Sequence, residues 1–285
     1  MRISRLLLLV LLFTLCTAPA LAGEDPYQPV PDFNRRQDGV AYAVPKTVTY
    51  YSSTCGMDRK CNVYLPADYD ESKAYPLLLL LHGIGGDHKE WMGGVPEIII
   101  GNLIAAGETK EMIIVTPDIK AFHKDAPPAG FYSPETFAAF DNCLNDIRDD
   151  LLPWLRENYS LAPGRENTAV AGLSMGGREA LYVGLSLPET FGYVGAFAPA
   201  PGALPYAVEK GLFPTDGFKA AEGYDTFIMI VHGLTDDVVA PWPKTYSDTL
   251  TANGTEHVYY ETPGAHNFTV WMNGLYNFGK NLFKD

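Results

Sequence analysis

The chain has 285 residues, 47% of them hydrophobic, with 34 acidic against 21 basic side chains and a formal net charge of −13. An acidic surface of this kind argues against nucleic acid or an anionic membrane as partner, because both carry the same sign of charge. The length permits two domains, yet no linker divides the body of the chain and no internal repeat occurs. Strand and helix signals alternate throughout, the pattern of one α/β domain.

Taken in chain order, residues 1–22 read as an export signal peptide. Arg2 and Arg5 form its basic start, residues 6–15 its apolar stretch, and Ala20-Leu21-Ala22 its small-x-small cleavage site. The apolar run is short for a membrane span. Cleavage after Ala22 would leave 19 basic against 34 acidic residues, a net charge of −15. Cys16 follows Leu15 rather than a small residue, so it leaves with the signal and anchors no lipid. Residues 23–38, with Pro26, Pro29 and Pro31, read as an extended leader, and residues 39–285 as a single domain. Export implies an oxidising compartment. Cys55 and Cys61 flank Gly56-Met57-Asp58-Arg59-Lys60 between two strand-like stretches. A hairpin would set them side by side and allow a disulfide, worth about 2 kcal/mol for so short a loop. Cys143 is left odd, a buried thiol in a helix. No spacing of Cys and His suggests a zinc site, and no metal is expected.

Pro76-Leu77-Leu78-Leu79-Leu80-Leu81 is a continuous apolar run, as expected of a central strand buried on both faces. It enters His82-Gly83-Ile84-Gly85-Gly86, where glycines let a backbone approach a substrate closely. A phosphate cradle is disfavoured: no Lys-Ser/Thr follows, and Gly-x-Gly-x-x-Gly spacing is absent. Residues 134–159 then carry Phe137, Phe140, Leu144, Ile147, Leu151, Leu152 and Leu155 at helical spacing, a stripe that belongs to the core.

The most informative stretch is Val170-Ala171-Gly172-Leu173-Ser174-Met175-Gly176-Gly177. An apolar strand, a Gly-x-Ser-x-Gly turn and a helix follow one another, so Ser174 stands on a sharp bend at the carboxyl end of a sheet. Gly172 and Gly176 leave room for that bend. The Met175 N–H, at the helix start, can face a developing oxyanion. The Ile84 N–H is the first candidate for the second donor, with Gly85 behind it, while His82 braces their loop.

A serine hydroxyl hardly ionises near neutral pH, so a histidine must take its proton. Of the histidines downstream, His232 ends an apolar strand and His257 lies in or at the start of another, at the wrong sheet edge. His266, in the loop Pro263-Gly264-Ala265-His266-Asn267-Phe268, is the expected base. The orienting acid should follow the preceding strand, where His232-Gly233-Leu234-Thr235-Asp236-Asp237 offers two carboxylates. Asp236 has the better spacing; Asp237 could instead cap the next segment. Loops at the strands' carboxyl ends should hold the substrate. Gly85, Phe131, Trp242 and Trp271 are the candidate contacts, each weighed against plain core packing.

Together these residues resemble the esterase-D-like branch of the α/β-hydrolases, and within it the feruloyl-esterase modules of carbohydrate esterase family 1. The likeness rests on Asn62-Val63-Tyr64-Leu65-Pro66, Leu81-His82-Gly83-Ile84-Gly85-Gly86, Ile113-Ile114-Val115-Thr116-Pro117 and Glu157-Asn158-Tyr159-Ser160. It continues through Ala171-Gly172-Leu173-Ser174-Met175-Gly176-Gly177 and Gly264-Ala265-His266-Asn267-Phe268-Thr269-Val270-Trp271. The resemblance implies a mostly parallel central sheet with helices on both faces. It implies Ser174, Asp236 and His266 as nucleophile, acid and base, and Met175 and Ile84 as oxyanion donors. It implies a secreted or periplasmic serine carboxylesterase, free of any cofactor, that acts on feruloylated or otherwise acylated xylan. An acetyl-xylan esterase is the rival within enzymes, and a non-catalytic carbohydrate-binding protein on a hydrolase scaffold the rival outside them. A thioester hydrolase of the S-formylglutathione type fits an exported chain poorly. The cysteines at 55, 61 and 143 are not required by the family.

Overall fold

The computed structural model describes residues 25–206 and 210–284, so the signal peptide expected over 1–22 lies outside the described residues. Eight strands form one sheet: β1 (Pro45–Ser52), β2 (Met57–Tyr64), β3 (Leu77–Leu81), β4 (Ile113–Pro117), β5 (Thr168–Leu173), β6 (Tyr193–Phe197), β7 (Phe227–Gly233) and β8 (Val258–Thr262), in the order β1-β2-β4-β3-β5-β6-β7-β8. β1 and β2 are antiparallel to their neighbours, and all later pairings are parallel. The helices are α1 (Pro96–Ala105), α2 (Pro134–Asp141), α3 (Cys143–Asp146), α4 (Leu152–Asn158), α5 (Met175–Ser186), α6 (Trp242–Ala252) and α7 (Phe268–Gly279). No described helix is long and apolar enough to cross a membrane.

The five leucines of β3 are all buried, because parallel neighbours flank the strand and helices cover both its faces. The pleat of β6 separates the two layers. Val194 meets α5 at Gly184, while the next residue, Gly195, faces Phe278 of α7. The order β4-β3-β5 carries the functional consequence. From β3 the chain crosses to β4 on one side, then returns to β5 on the other. The carboxyl ends of β3 and β5 therefore lie where the strand order reverses, the position at which open α/β sheets bind ligands.

Three expectations are revised. The helix foreseen over 134–159 is broken into α2, α3 and α4, with a π turn at Ile147–Leu151 before α4. Pro153, in the first turn of α4, has no N–H to continue the ladder. Its apolar stripe is core as expected, with Phe140, Ile147, Leu151 and Leu155 fully buried or nearly so. The 23–38 leader is not extended over its described part. Residues 25–38 turn and dock: Tyr27 stacks on Tyr260 at 4.0 Å, and Phe33 meets Tyr276 edge-on at 5.2 Å. The Tyr27 carbonyl accepts from the amides of Asn273 and Asn277 on α7.

The Cys55–Cys61 disulfide is absent; both are free thiols, as is Cys143. Register is the reason. The hairpin closes by pairing Ser52 with Met57, which leaves Cys55 in the turn and sets Val48, not Cys55, opposite Cys61. Burial pushes the Cys61 thiol up to about 12 and raises that of Cys143 well above its ordinary value, so neither is a thiolate near neutral pH.

Candidate active site

Ser174 joins β5 to α5 with φ 53° and ψ −118°. A non-glycine residue held there costs on the order of 1–3 kcal/mol and persists only where its surroundings over-determine it. They do so here. The Ser174 N–H donates to the Phe197 carbonyl at 2.9 Å, and its own carbonyl accepts from Arg178 and Ala200 N–H groups at 3.1 and 3.0 Å. The two glycines of the motif are demanded by space. A Cβ on Gly172 would lie 2.2 Å from the Gly176 carbonyl oxygen, and one on Gly176 would lie 2.3 Å from that of Leu81.

His266 meets both of its expected neighbours. Its Nε2 lies 2.8 Å from Ser174 Oγ and its Nδ1 2.8 Å from Asp236 Oδ2. A carboxylate at Nδ1 fixes the proton on that nitrogen, leaving Nε2 as acceptor for the serine hydroxyl. The other Asp236 oxygen accepts from the Val238 and Val239 N–H groups at 3.0 and 3.4 Å, and the residue is buried. Asp237 is exposed and caps nothing, since α6 starts only after Pro241. The acid and base loops are laced together: Leu234 N–H donates to the Thr262 carbonyl, and Thr235 donates twice to that of Gly264. Asn267 caps α7 directly after His266, accepting from Thr269 N–H at 2.9 Å. The two other downstream histidines are elsewhere. His232 is buried in β7, and His257 pairs with Ser247 at 2.8 Å.

The loop after β3 faces the serine. A Cβ on Gly83 would come 3.5 Å from the Cβ of Ser174. Two of the loop's N–H groups are committed, Gly83 to Glu90 Oε2 at 2.6 Å and Gly86 to the Gly83 carbonyl at 3.0 Å. Those of Ile84 and Gly85 find no acceptor among the described residues, and neither does that of Met175 at the first position of α5. Glu90 is a shaping residue with no local sequence signal. His82 braces the loop as expected: its Nδ1 lies 2.7 Å from the Gly83 carbonyl, and its Nε2 accepts from Ile119 N–H at 2.9 Å. Asp118 stands 3.2 Å from the same Nε2. Burial alone would raise its carboxyl, yet polar neighbours, among them the Arg59 guanidinium and the Lys120 N–H, hold it down at about 2.

The candidate substrate contacts divide. Phe131 is 54% exposed, and its ring edge would lie 3.1 Å from a Cβ on Gly85, so these two are brought together beside Ile84. Phe131 also meets Tyr132, 70% exposed, edge-on at 4.8 Å. Trp271 does not wall an open pocket. It is 8% exposed on α7 and packs its ring against His266 at 5.2 Å, nearly perpendicular. Trp242 has its ring contacts with Tyr206 and Tyr246, none with Ser174, Asp236 or His266.

Behind the elbow, Glu179 is wholly buried beside Arg178. Burial pushes its carboxyl up to about 7, against the pull of Arg178 and with Asp141 adding to the rise. Such a carboxyl binds its proton more tightly folded than unfolded, so stability falls as pH rises from the ordinary value of 4.5 to about 7. Glu179→Gln should flatten that decline in a series of Tm measurements across the window. An unchanged slope would mean that Glu179 keeps its charge throughout.

Comparison with known proteins adds the lineage. Residues 52–278 match the family model Esterase, described as "Putative esterase". An endo-1,4-beta-xylanase/feruloyl esterase of Xylanibacter ruminicola is 30% identical over 270 residues, covering 89% of this chain and 33% of that protein. The chain thus spans about a third of that relative's length. A CE1 ferulic acid esterase from Anaeromyces mucronatus, solved with ferulic acid, superposes with a TM-score of 0.86 at 37% identity, over 90% of this chain and 97% of that one. A feruloyl esterase module from Clostridium thermocellum, complexed with sinapinate, shares the fold at 20% identity and a TM-score of 0.70, over 90% and 93% of the two chains.

Proposed function

The chain belongs to the esterase family and is a carboxylic ester hydrolase of α/β-hydrolase fold; on that premise we propose that it cleaves feruloyl and related hydroxycinnamoyl esters of xylan through an acyl-enzyme. The observation that carries the mechanism is the pair of 2.8 Å contacts running from Ser174 through His266 to Asp236. Ser174 Oγ attacks the ester carbonyl while His266 Nε2 takes its proton. Asp236 holds the imidazole in the required tautomer and stabilises the imidazolium. The N–H groups of Met175 and Ile84 receive the oxyanion, with Gly85 next to them. His266 then passes the proton to the departing sugar oxygen, which leaves as the free hydroxyl as its bond to the acyl carbon breaks. Water, activated by the same imidazole, releases the acid and restores the serine.

The acyl preference draws support from the exposed Phe131–Tyr132 pair beside Gly85 and from the ferulate-cleaving relatives. An aromatic acyl group stacking there gains about 0.5–1.5 kcal/mol per ring pair beyond area burial. Trp242 and Trp271 have no part in this reading. Export by the 1–22 segment would bring the enzyme to its polysaccharide. Hydrolysis of methyl ferulate set against deacetylation of acetylated xylan tests the substrate class. Faster turnover of ferulate is expected, and a strong preference for acetyl groups would replace the feruloyl assignment. Organophosphate labelling tests the chemistry: no adduct at Ser174, together with no ester hydrolysis that Ser174→Ala abolishes, would leave a carbohydrate-binding protein.

A further inference from the structure

The loop bearing Phe131 and Tyr132 is tied to the first turn of α2. Ser133 caps that helix, its Oγ accepting from Thr136 N–H at 3.3 Å, and Thr136 Oγ1 donates to the Gly130 carbonyl at 2.5 Å. The other end of the same helix is tied to the nucleophile's helix. Asp141, the last residue of α2, accepts from Arg178 Nη1 at 2.6 Å, and Arg178 lies one turn beyond Ser174 on α5. Between these ends, Phe140 meets His82 of the β3 loop edge-on at 5.8 Å. Two turns of helix thus connect the exposed aromatic pair with both halves of the reaction centre.

We infer that the Asp141–Arg178 pair is a positioning device for specificity: it registers the Phe131–Tyr132 edge against Ser174 and so sets the preference for a bulky aromatic acyl group over a small one. The inference rests on the esterase reading above. Arg178 is buried, its Nε has no acceptor among the described residues, and its one other carboxylate partner is Glu179 of its own helix. Asp141 is therefore the charged group by which α5 holds α2. Without that charge the guanidinium is left undercompensated. A short helix displaced at its carboxyl end also moves at its amino end, where the aromatic loop begins. Ser174 meets Arg178 only through its backbone carbonyl, and none of the hydrogen bonds made by the side chains of Ser174, His266 and Asp236 goes to Asp141 or Arg178, so a small acyl group should not sense the change.

The test compares 4-nitrophenyl ferulate with 4-nitrophenyl acetate, which share a leaving group and differ in the acyl part. Active enzyme is counted by organophosphate titration of Ser174, so misfolded protein does not enter the rates. For Asp141→Asn we expect KM for the ferulate to rise about tenfold. Its kcat, and both constants for the acetate, should stay within about twofold. Phe131→Ala should likewise raise the ferulate KM, and the double variant should fall short of the product of the two effects, because both changes act through the same aromatic edge. Asp141→Glu, which keeps the charge, should retain most of the selectivity. Equal losses on the two esters, full additivity in the double variant, or an unaltered ferulate KM in Asp141→Asn would each overturn the positioning role. A wild-type enzyme that hydrolyses the acetate but not the ferulate would instead overturn the feruloyl reading on which it rests.

Discussion

Ser174→Ala should lower kcat by about 10³-fold or more on any ester the enzyme accepts, with little change in KM. The hydroxyl is the group that forms the covalent bond, whereas substrate binding draws on the loops around it. His266→Ala should fall about as far. The double variant should be no worse than either single one, since an imidazole with no hydroxyl to activate contributes nothing further. Asp236→Asn should cost on the order of 10⁴-fold, because a carboxamide at Nδ1 no longer enforces the tautomer that leaves Nε2 free to accept. Steady-state kinetics on the titrated variants provide the measurement. Ser174→Ala retaining a tenth of wild-type turnover would remove the acyl-enzyme mechanism altogether.

Gly172→Ala should be the most damaging single methyl addition in the elbow. The new carbon would stand 2.2 Å from the Gly176 carbonyl oxygen, and neither backbone can yield without moving β5 or α5. Overpacking against backbone at this distance should cost about 3 kcal/mol or more, lowering Tm by roughly 6 °C or more. A displacement of Ser174 by even 1 Å should cost about 10²-fold in turnover as well. Gly254→Ala is the control. It has φ +75° and open space around it, so it should lose only the left-handed backbone penalty of about 1 kcal/mol and keep full activity. Thermal melts and kinetics on the two variants separate crowding from backbone conformation. Equal effects from both would refute the steric account.

The contrast between those glycines explains why the elbow was readable from sequence. A Gly-x-Ser-x-Gly turn is a spacing rule imposed by contact between residues four apart, so the pattern and the geometry are the same constraint. The run Leu77–Leu81 was legible for a similar reason: a strand covered on both sides has no polar alternation to disguise it. His266 followed from chain order, and its neighbours lie 92 and 30 residues away. What escaped was set by register and by long side chains. A hairpin allowed Cys55 and Cys61 to pair, but its register places Cys55 in the turn and Val48 opposite Cys61. Trp271 lies five residues beyond His266, but the helix turns its ring inward. Glu90 reaches back across seven residues to Gly83, and Arg178 reaches sideways to Asp141. No periodicity or motif encodes such reaches. The prolines of the leader suggested extension, while no local pattern marks Tyr27 and Phe33 as the rings that dock it.

That docking bears on how the protein can be trimmed. Cutting the chain at residue 39 would strip the Tyr27 ring from Tyr260 and leave the amides of Asn273 and Asn277 without the carbonyl they share. Both asparagines sit on the helix that starts two residues after His266. A truncated version intended only to tidy the amino terminus would therefore loosen the scaffold under the general base, and a fusion tag is better joined upstream of residue 25.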